Sequence, residues 1–250
     1  MVDGVRLQKV LSQAGIGSRR EMETWIDSGW VTVNGKTAKL GQHVVETDKI
    51  KARGKVVPNP LKHELKTRVL LYHKPVGEIS SKSDPKHKKT IFDNLPTIRQ
   101  GRWIQVGRLD INTSGLMIFT NDGELANQLM HPKQAIEREY AVRVHGEVTN
   151  EMLKQLVKGV ELDDGLAKFQ SIALSGAGKG LNAWYHVVLT EGRNREVRRL
   201  FASLGVEVSR LIRVRYGSIT MPKYLSRGKS MELTPEAVRK LVSSIGASRD

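Results

Sequence analysis

A single carboxylate, Asp110, stands in the polar run Gly107-Arg108-Leu109-Asp110-Ile111-Asn112-Thr113-Ser114-Gly115-Leu116, between two apolar segments that read as strands. An arginine lies two residues before it, and an amide and two hydroxyls follow. No second acidic residue is near enough in the sequence to make the acid–base pair that glycoside hydrolysis uses. Chemistry here would rest on one carboxylate, acting as nucleophile or base. The same residues suit an Asx turn that reverses the chain before Gly115, and on this stretch alone both readings stand.

Three other groups have chemical potential. In Glu191-Gly192-Arg193-Asn194-Arg195-Glu196-Val197-Arg198-Arg199-Leu200, a helix would put Arg195, Arg198 and Arg199 on one face at i, i+3, i+4. Such a run is ordinarily a solvated face. Clustered guanidinium groups also bind phosphates, or clamp a buried carboxylate by a bidentate pair. In Arg138-Glu139-Tyr140-Ala141-Val142-Arg143-Val144, the alternation puts Tyr140 with two valines on one strand face. It is either a core aromatic with a satisfied hydroxyl or a platform for one nucleobase. Lys74-Pro75-Val76-Gly77 follows a strand and is an ordinary turn or a means of bringing Lys74 to a phosphate.

Composition narrows the classes. Among 250 residues, 41 Lys and Arg stand against 26 Asp and Glu, a net charge of +15. A polyanion is the expected partner, because neutralising phosphates releases counterions. Hydrophobic residues make up 39% of the chain, enough for a core. The absence of cysteine excludes disulfides, thiolate metal sites and thiol nucleophiles. The seven histidines show no close pairing that suggests a metal site. Apolar runs stop at four or five residues, far short of the roughly 20 needed to span a bilayer. The N-terminus lacks an apolar signal core. A soluble, cytoplasmic protein is expected.

These residues need elements to position them. Leu7, Val10, Leu11 and Ala14 fall at helical spacing, and Gly15 ends that pattern. Ser18-Arg19-Arg20-Glu21 matches a capping box, and Asn34-Gly35 marks a tight hairpin. This predicts a two-helix-plus-hairpin domain over 1–52. Residues 53–68, with Gly54, Pro58 and Pro60, read as a basic linker. A larger domain over 69–250 follows, with strands at 69–72, 105–109, 116–120, 140–145, 167–174, 184–189 and 211–214. Asp164-Gly165 reads as a further hairpin turn. The glycines at 176, 178 and 180 read as a hairpin tip rather than a phosphate loop, since no helix follows them. The fold class is α+β with a mixed, largely antiparallel sheet.

Taken together, Lys-Pro-Val-Gly at 74–77, Gly-Arg-Leu-Asp at 107–110 with Thr-Ser-Gly-Leu at 113–116, Arg-Glu-Tyr at 138–140 and Glu-Gly-Arg-Asn-Arg-Glu-Val-Arg-Arg at 191–199 resemble the ribosomal RNA pseudouridine synthases of the RsuA/RluB group. The N-terminal unit is similar to a small RNA-binding domain of a ribosomal small-subunit protein. Residues 124–132 and the surroundings of Arg193 are most similar to the branch that acts on large-subunit RNA.

The resemblance implies isomerisation of a flipped-out uridine to pseudouridine with no cofactor and no metal. It implies Asp110 as the catalytic carboxylate, Arg198 as its ion-pair partner and Tyr140 as the aromatic against the target base. Candidate RNA contacts are Lys9, Arg19, Arg20 and Lys36 in the small domain, and Lys74, Arg108, Arg193, Arg195 and Arg199 in the larger one. The expected partner is ribosomal RNA, free or in a pre-ribosomal particle, bound by a monomer. Two alternatives are the same reaction on small-subunit RNA, and a non-catalytic assembly factor that uses the fold only to dock.

Overall fold

The computed structural model describes residues 4–62, 66–81, 89–99, 101–176 and 182–246. The chain divides into two compact units. One comprises Met1–Val69 with Thr97–Ile104 and Thr120–Glu124, and the other Leu70–Pro96, Gln105–Phe119 and Leu125–Asp250.

In the smaller unit, helices Leu7–Gln13 and Arg19–Asp27 pack on a four-stranded sheet. Its strands run in the order Lys36–Thr37, Val31–Val33, Ile50–Ala52, Lys55–Val57. The expected capping box forms: Glu21 N donates to Ser18 Oγ at 3.1 Å, and Ser18 N donates to Glu21 Oε2 at 3.3 Å. Asn34 and Gly35 take φ of 51° and 81°, as a type I′ hairpin requires. Leu7, Val10, Leu11, Met22, Ile26 and Val31 form the centre of a core that reaches Val57.

That last residue corrects the sequence expectation for 53–68. Arg53-Gly54 is the turn of another hairpin, and Lys55–Val57 completes the small sheet. Arg53 N donates to Trp30 O at 2.7 Å, and its guanidinium lies 4.0 Å from the ring of Trp25 and 4.1 Å from that of Trp30. Glycine and prolines that suggest a linker belong here to a turn and its exit. Part of the expected linker, 63–65, lies outside the described residues.

The larger unit is built on a nine-stranded mixed sheet. Its main path runs Ser171–Gly176, Asn182–Leu189, Arg138–His145, Glu207–Tyr216, Ser114–Thr120, Val69–Lys74, Ser230–Glu232. Ser114–Thr120 is buried along its whole length, the pattern of a strand covered on both faces. It pairs parallel with Glu207–Tyr216, whereas Arg138–His145 pairs antiparallel with both of its neighbours. The stretch 167–174, expected as one strand, is divided. Gly165–Ala167 returns on Val160–Leu162 through the Asp164-Gly165 turn, and Ser171–Gly176 joins the main sheet. The tip carrying Gly178 and Gly180 lies outside the described residues. Helices Gly123–Met130, Asn150–Lys158, Glu196–Ala202 and Pro235–Gly246 complete the α+β pattern.

Candidate active site

A cleft of about 1180 Å³ opens in the larger unit, with room for a nucleotide. Asp110, Tyr140, Arg108, Arg193, Arg195 and Arg213 all line it.

Asp110 sits in the loop between strands Ile104–Val106 and Ser114–Thr120. Five consecutive carbonyls of this loop are held. Leu109 O accepts from Ser80 Oγ at 2.7 Å, and Ser80 Oγ in turn accepts from Leu109 N at 3.2 Å. Asp110 O accepts from Lys74 Nζ at 3.1 Å and from Thr113 N at 3.0 Å. Ile111 O takes Gly77 N at 2.8 Å, Asn112 O takes Arg198 Nη2 at 2.9 Å, and Thr113 O takes Lys74 Nζ at 2.8 Å. The half-buried Asp110 carboxylate itself accepts no hydrogen bond and forms no ion pair among the described residues. A fixed backbone therefore presents an uncommitted carboxylate to the cleft, the preorganisation that a reacting group needs.

Lys74 was expected to reach a phosphate, and the structure corrects this. Its side chain is sealed from solvent, and Nζ donates to the carbonyls of Pro75, Asp110 and Thr113. Burial pulls its pKa down to about 8, against the favourable fields of Glu78 and Asp110. The Lys-Pro-Val-Gly turn is thus a brace: Lys74 grips the loop from one side, and Gly77, at φ 95°, donates its N–H to the loop from another.

Gly115 has a separate necessity. A Cβ there would stand 2.3 Å from Arg213 O and 2.5 Å from Arg213 N in the paired strand. With φ at 113°, only glycine fits.

The segment 191–199 departs further from expectation. The helix begins at Glu196, and Arg195 precedes it in the left-handed region at φ 49°. Arg195 therefore does not share a helical face with Arg198 and Arg199. Arg193 donates to Glu191 and to the carbonyls of Asp164, Gly165 and Leu166. Arg199 makes a bidentate pair with Asp164, both contacts at 2.8 Å, and donates to Asn194 O. These two arginines, expected to hold RNA, tie the segment to the 160–167 hairpin.

Arg198 does not form the expected ion pair with Asp110. It donates to Val208 O at 2.7 Å and to Asn112 O, two residues beyond Asp110. Burial lowers its pKa, aided by Arg195 and opposed by the nearby Asp110. Its contact with the Asp110 loop is through a carbonyl, so it supports the loop's shape.

Arg108 and Arg195 remain as exposed arginines on the cleft. In the smaller unit Arg19, Arg20 and Lys36 are exposed, while Lys9 is half-buried with Nζ 3.9 Å from Glu124 Oε2. Tyr140, 9% exposed, faces the cleft from strand Arg138–His145.

Two cleft residues escaped the sequence reading. Glu196 is buried, and its Oε2 accepts from Arg193 N at 3.0 Å. Burial, and secondarily the neighbouring Glu191, raise its pKa well above the ordinary carboxylate range. Arg213 is 2% exposed. Alternation gave no signal for it, since Val208, Ile212, Val214 and Tyr216 put position 213 in the polar register of the strand.

A mixed-sheet domain whose cleft holds the unengaged Asp110 carboxylate, accompanied by a small helix-and-hairpin unit with exposed basic residues, defines the class: an RNA-directed enzyme built from two modules. Comparison with known proteins agrees. A family model described as RNA pseudouridylate synthase matches residues 68–203, and a model of the S4 domain matches 5–50. The chain is 53% identical over 240 residues to the ribosomal large subunit pseudouridine synthase B of Yersinia pestis, covering 95% of this chain and 75% of that protein. It is 56% identical over 230 residues to the protein of the same name from Escherichia coli (strain K12), covering 91% and 79%. A crystal structure of a pseudouridylate synthase shares the fold with a TM-score of 0.65 at 24% identity, covering 95% of this chain and 99% of that one. The chain belongs to the RNA pseudouridylate synthase family.

Proposed function

We propose that this enzyme isomerises a uridine of large-subunit ribosomal RNA to pseudouridine, with Asp110 as the catalytic carboxylate. The observation that carries the assignment of Asp110 is the loop at 107–113, whose five carbonyls from Leu109 to Thr113 are held while its one carboxylate is left unengaged in the cleft. Similarity to relatives named for the large subunit favours that RNA over the small-subunit alternative.

The target base must leave its helix to expose both its glycosidic bond and carbon 5. Tyr140 replaces the lost stacking. Asp110 attacks the base or the ribose, or removes a ribose proton. Each route ends with the bond from nitrogen 1 to C1′ replaced by one from carbon 5, the carbon 5 proton released and nitrogen 1 protonated. The reaction is redox-neutral and needs no group beyond the chain's own side chains. Arg108 and Arg195 hold phosphates beside the cleft, and Arg19, Arg20, Lys36 and Lys9 grip a neighbouring RNA helix through its backbone. The protein acts as a cytoplasmic monomer on free RNA or on an assembling particle.

Site-by-site mapping of pseudouridine in ribosomal RNA from cells with and without this protein tests the function. Loss of one or a few pseudouridines confined to large-subunit RNA is expected. Loss in small-subunit RNA would overturn the target, and an unchanged map would favour the docking factor.

A further inference from the structure

Arg213 is the largest fully buried side chain among the described residues. Its Nε donates to Leu116 O at 2.8 Å, and Nη2 contacts Met117 Sδ at 3.4 Å. The guanidinium lies 5.2 Å from the centre of the Tyr216 ring. None of these partners carries a negative charge, and Nη1 has no hydrogen-bond partner among the described residues. Leaving a buried cation without an anion is costly. The position therefore calls for something that arrives from outside, and the side chain lines the cleft.

The strand ladder says what that would be. Arg213 stands directly opposite Tyr140 in the antiparallel pair and beside Gly115 in the parallel one. Residues directly opposite have Cβ atoms roughly 4.5–5.5 Å apart and point to the same face. A register shift between Glu139 and Tyr140 pairs Glu139 with Arg215 but Tyr140 with Arg213, so Val214 is the extra residue of a bulge. The bulge separates two arginines that simple alternation would put together. Arg215 pairs with Glu139 and Glu137, both at under 3 Å, namely 2.8 and 2.9 Å, while Arg213 is left to the cleft. Phosphates of an inserted nucleotide meet the exposed Arg108 and Arg195. A side chain 2% exposed meets what enters deepest, which is the base.

We propose that Arg213 is a further catalytic residue: its free Nη1 N–H donates to a carbonyl oxygen of the target uracil and stabilises the negative charge which that oxygen acquires during the reaction. This rests on the role of the cleft stated above. When the bond from nitrogen 1 to C1′ breaks, its electron pair stays with the base and spreads onto oxygens 2 and 4. If Asp110 adds to the ring first, the charge falls on oxygen 4. The guanidinium keeps its protons throughout. After rotation the base returns an electron pair to C1′ from carbon 5, the carbon 5 proton leaves, and nitrogen 1 takes up a proton. A fixed, nearly buried cation favours the charged species over the bound substrate.

The test is single-turnover pseudouridine formation by the full-length protein, with RNA affinity measured in parallel. Arg213→Met is expected to slow the chemical step roughly 10²–10³-fold, the loss typical of one oxyanion-stabilising donor, with Kd for RNA unchanged within threefold. Arg213→Lys keeps the charge without the planar fork and should lose about tenfold in rate by the same mechanism. It decides the matter if Arg213→Met does not fold. Wild-type rates in whichever of the two folds would overturn the proposal, as would a loss confined to RNA affinity, the signature of a phosphate contact. Asp110→Asn is measured beside them. If it retains turnover, the reading of the cleft fails. If it is inactive while the Arg213 variants are not, only the role of Arg213 falls.

Discussion

The loop at 107–113 and the arginine-rich segment at 191–199 border the same cleft and are built on opposite plans. In the loop, side chains from elsewhere grip the backbone and leave the loop's own charged group free. In the segment, the arginines do the gripping, and Arg193, Arg198 and Arg199 use their donors on carbonyls and carboxylates of the protein. A sequence motif counts charges. It does not say which of them remain available once buried backbone groups have found donors, and buried carbonyls must find them. One ammonium at 74 and one guanidinium at 198 thereby become parts of the scaffold for a single carboxylate.

Breaking the brace should have the largest effect. Lys74→Met leaves three carbonyls without their shared donor, at about 1–3 kcal/mol for each group left unsatisfied. We expect a loss near 3 kcal/mol in chemical denaturation and a fall in turnover on the order of 10²-fold, as for misplacement of a reacting group. The same lysine gives a pH signature. Below about 8 its ammonium has three protons for three carbonyls, and as pH rises through that value one bond is lost, so wild-type turnover should fall on the alkaline side. Stability has the opposite sign. The unfolded chain holds this proton up to 10.5 and the folded chain only to about 8, so the lysine's contribution to stability increases between those values. In Lys74→Met both trends should be absent; an unaltered alkaline limb would assign it to another group.

Arg108→Ala and Arg195→Ala sharpen the comparison from the other side. Each should weaken RNA binding severalfold and reduce the salt slope of affinity by about one, as loss of one phosphate contact does. Arg19→Glu with Arg20→Glu should act likewise through the smaller unit, with little change in the chemical step. Arg193→Met and Arg199→Met are expected to affect RNA least. They should lower the melting temperature by a few degrees and leave the salt slope within error. A salt slope that falls for these two as it does for Arg108 would erase the distinction between scaffold and contact.

Much of this was legible in the residues. Ser18 with Glu21 and Asn34 with Gly35 are local signals that the same few residues satisfy, and both devices form as spelled. Asp110 could be singled out because no other acid stands near it. Lys74, Arg193 and Arg199 could not be assigned from sequence, because their partners lie 36, 27 and 35 residues away along the chain. The hairpin at Arg53-Gly54 was hidden by its composition, and the tryptophans that fix it come from earlier in the chain. Arg213 depends on a bulge at Val214, which no period-two pattern reveals.

The central claim is that the carboxylate of Asp110 performs the isomerisation while the rest of its loop only holds it. Release of tritium from carbon 5 of labelled uridine, measured together with RNA affinity, tests this most directly in Asp110→Asn. No release above background, with affinity within severalfold of wild type, is the predicted result; measurable turnover by that variant would contradict it.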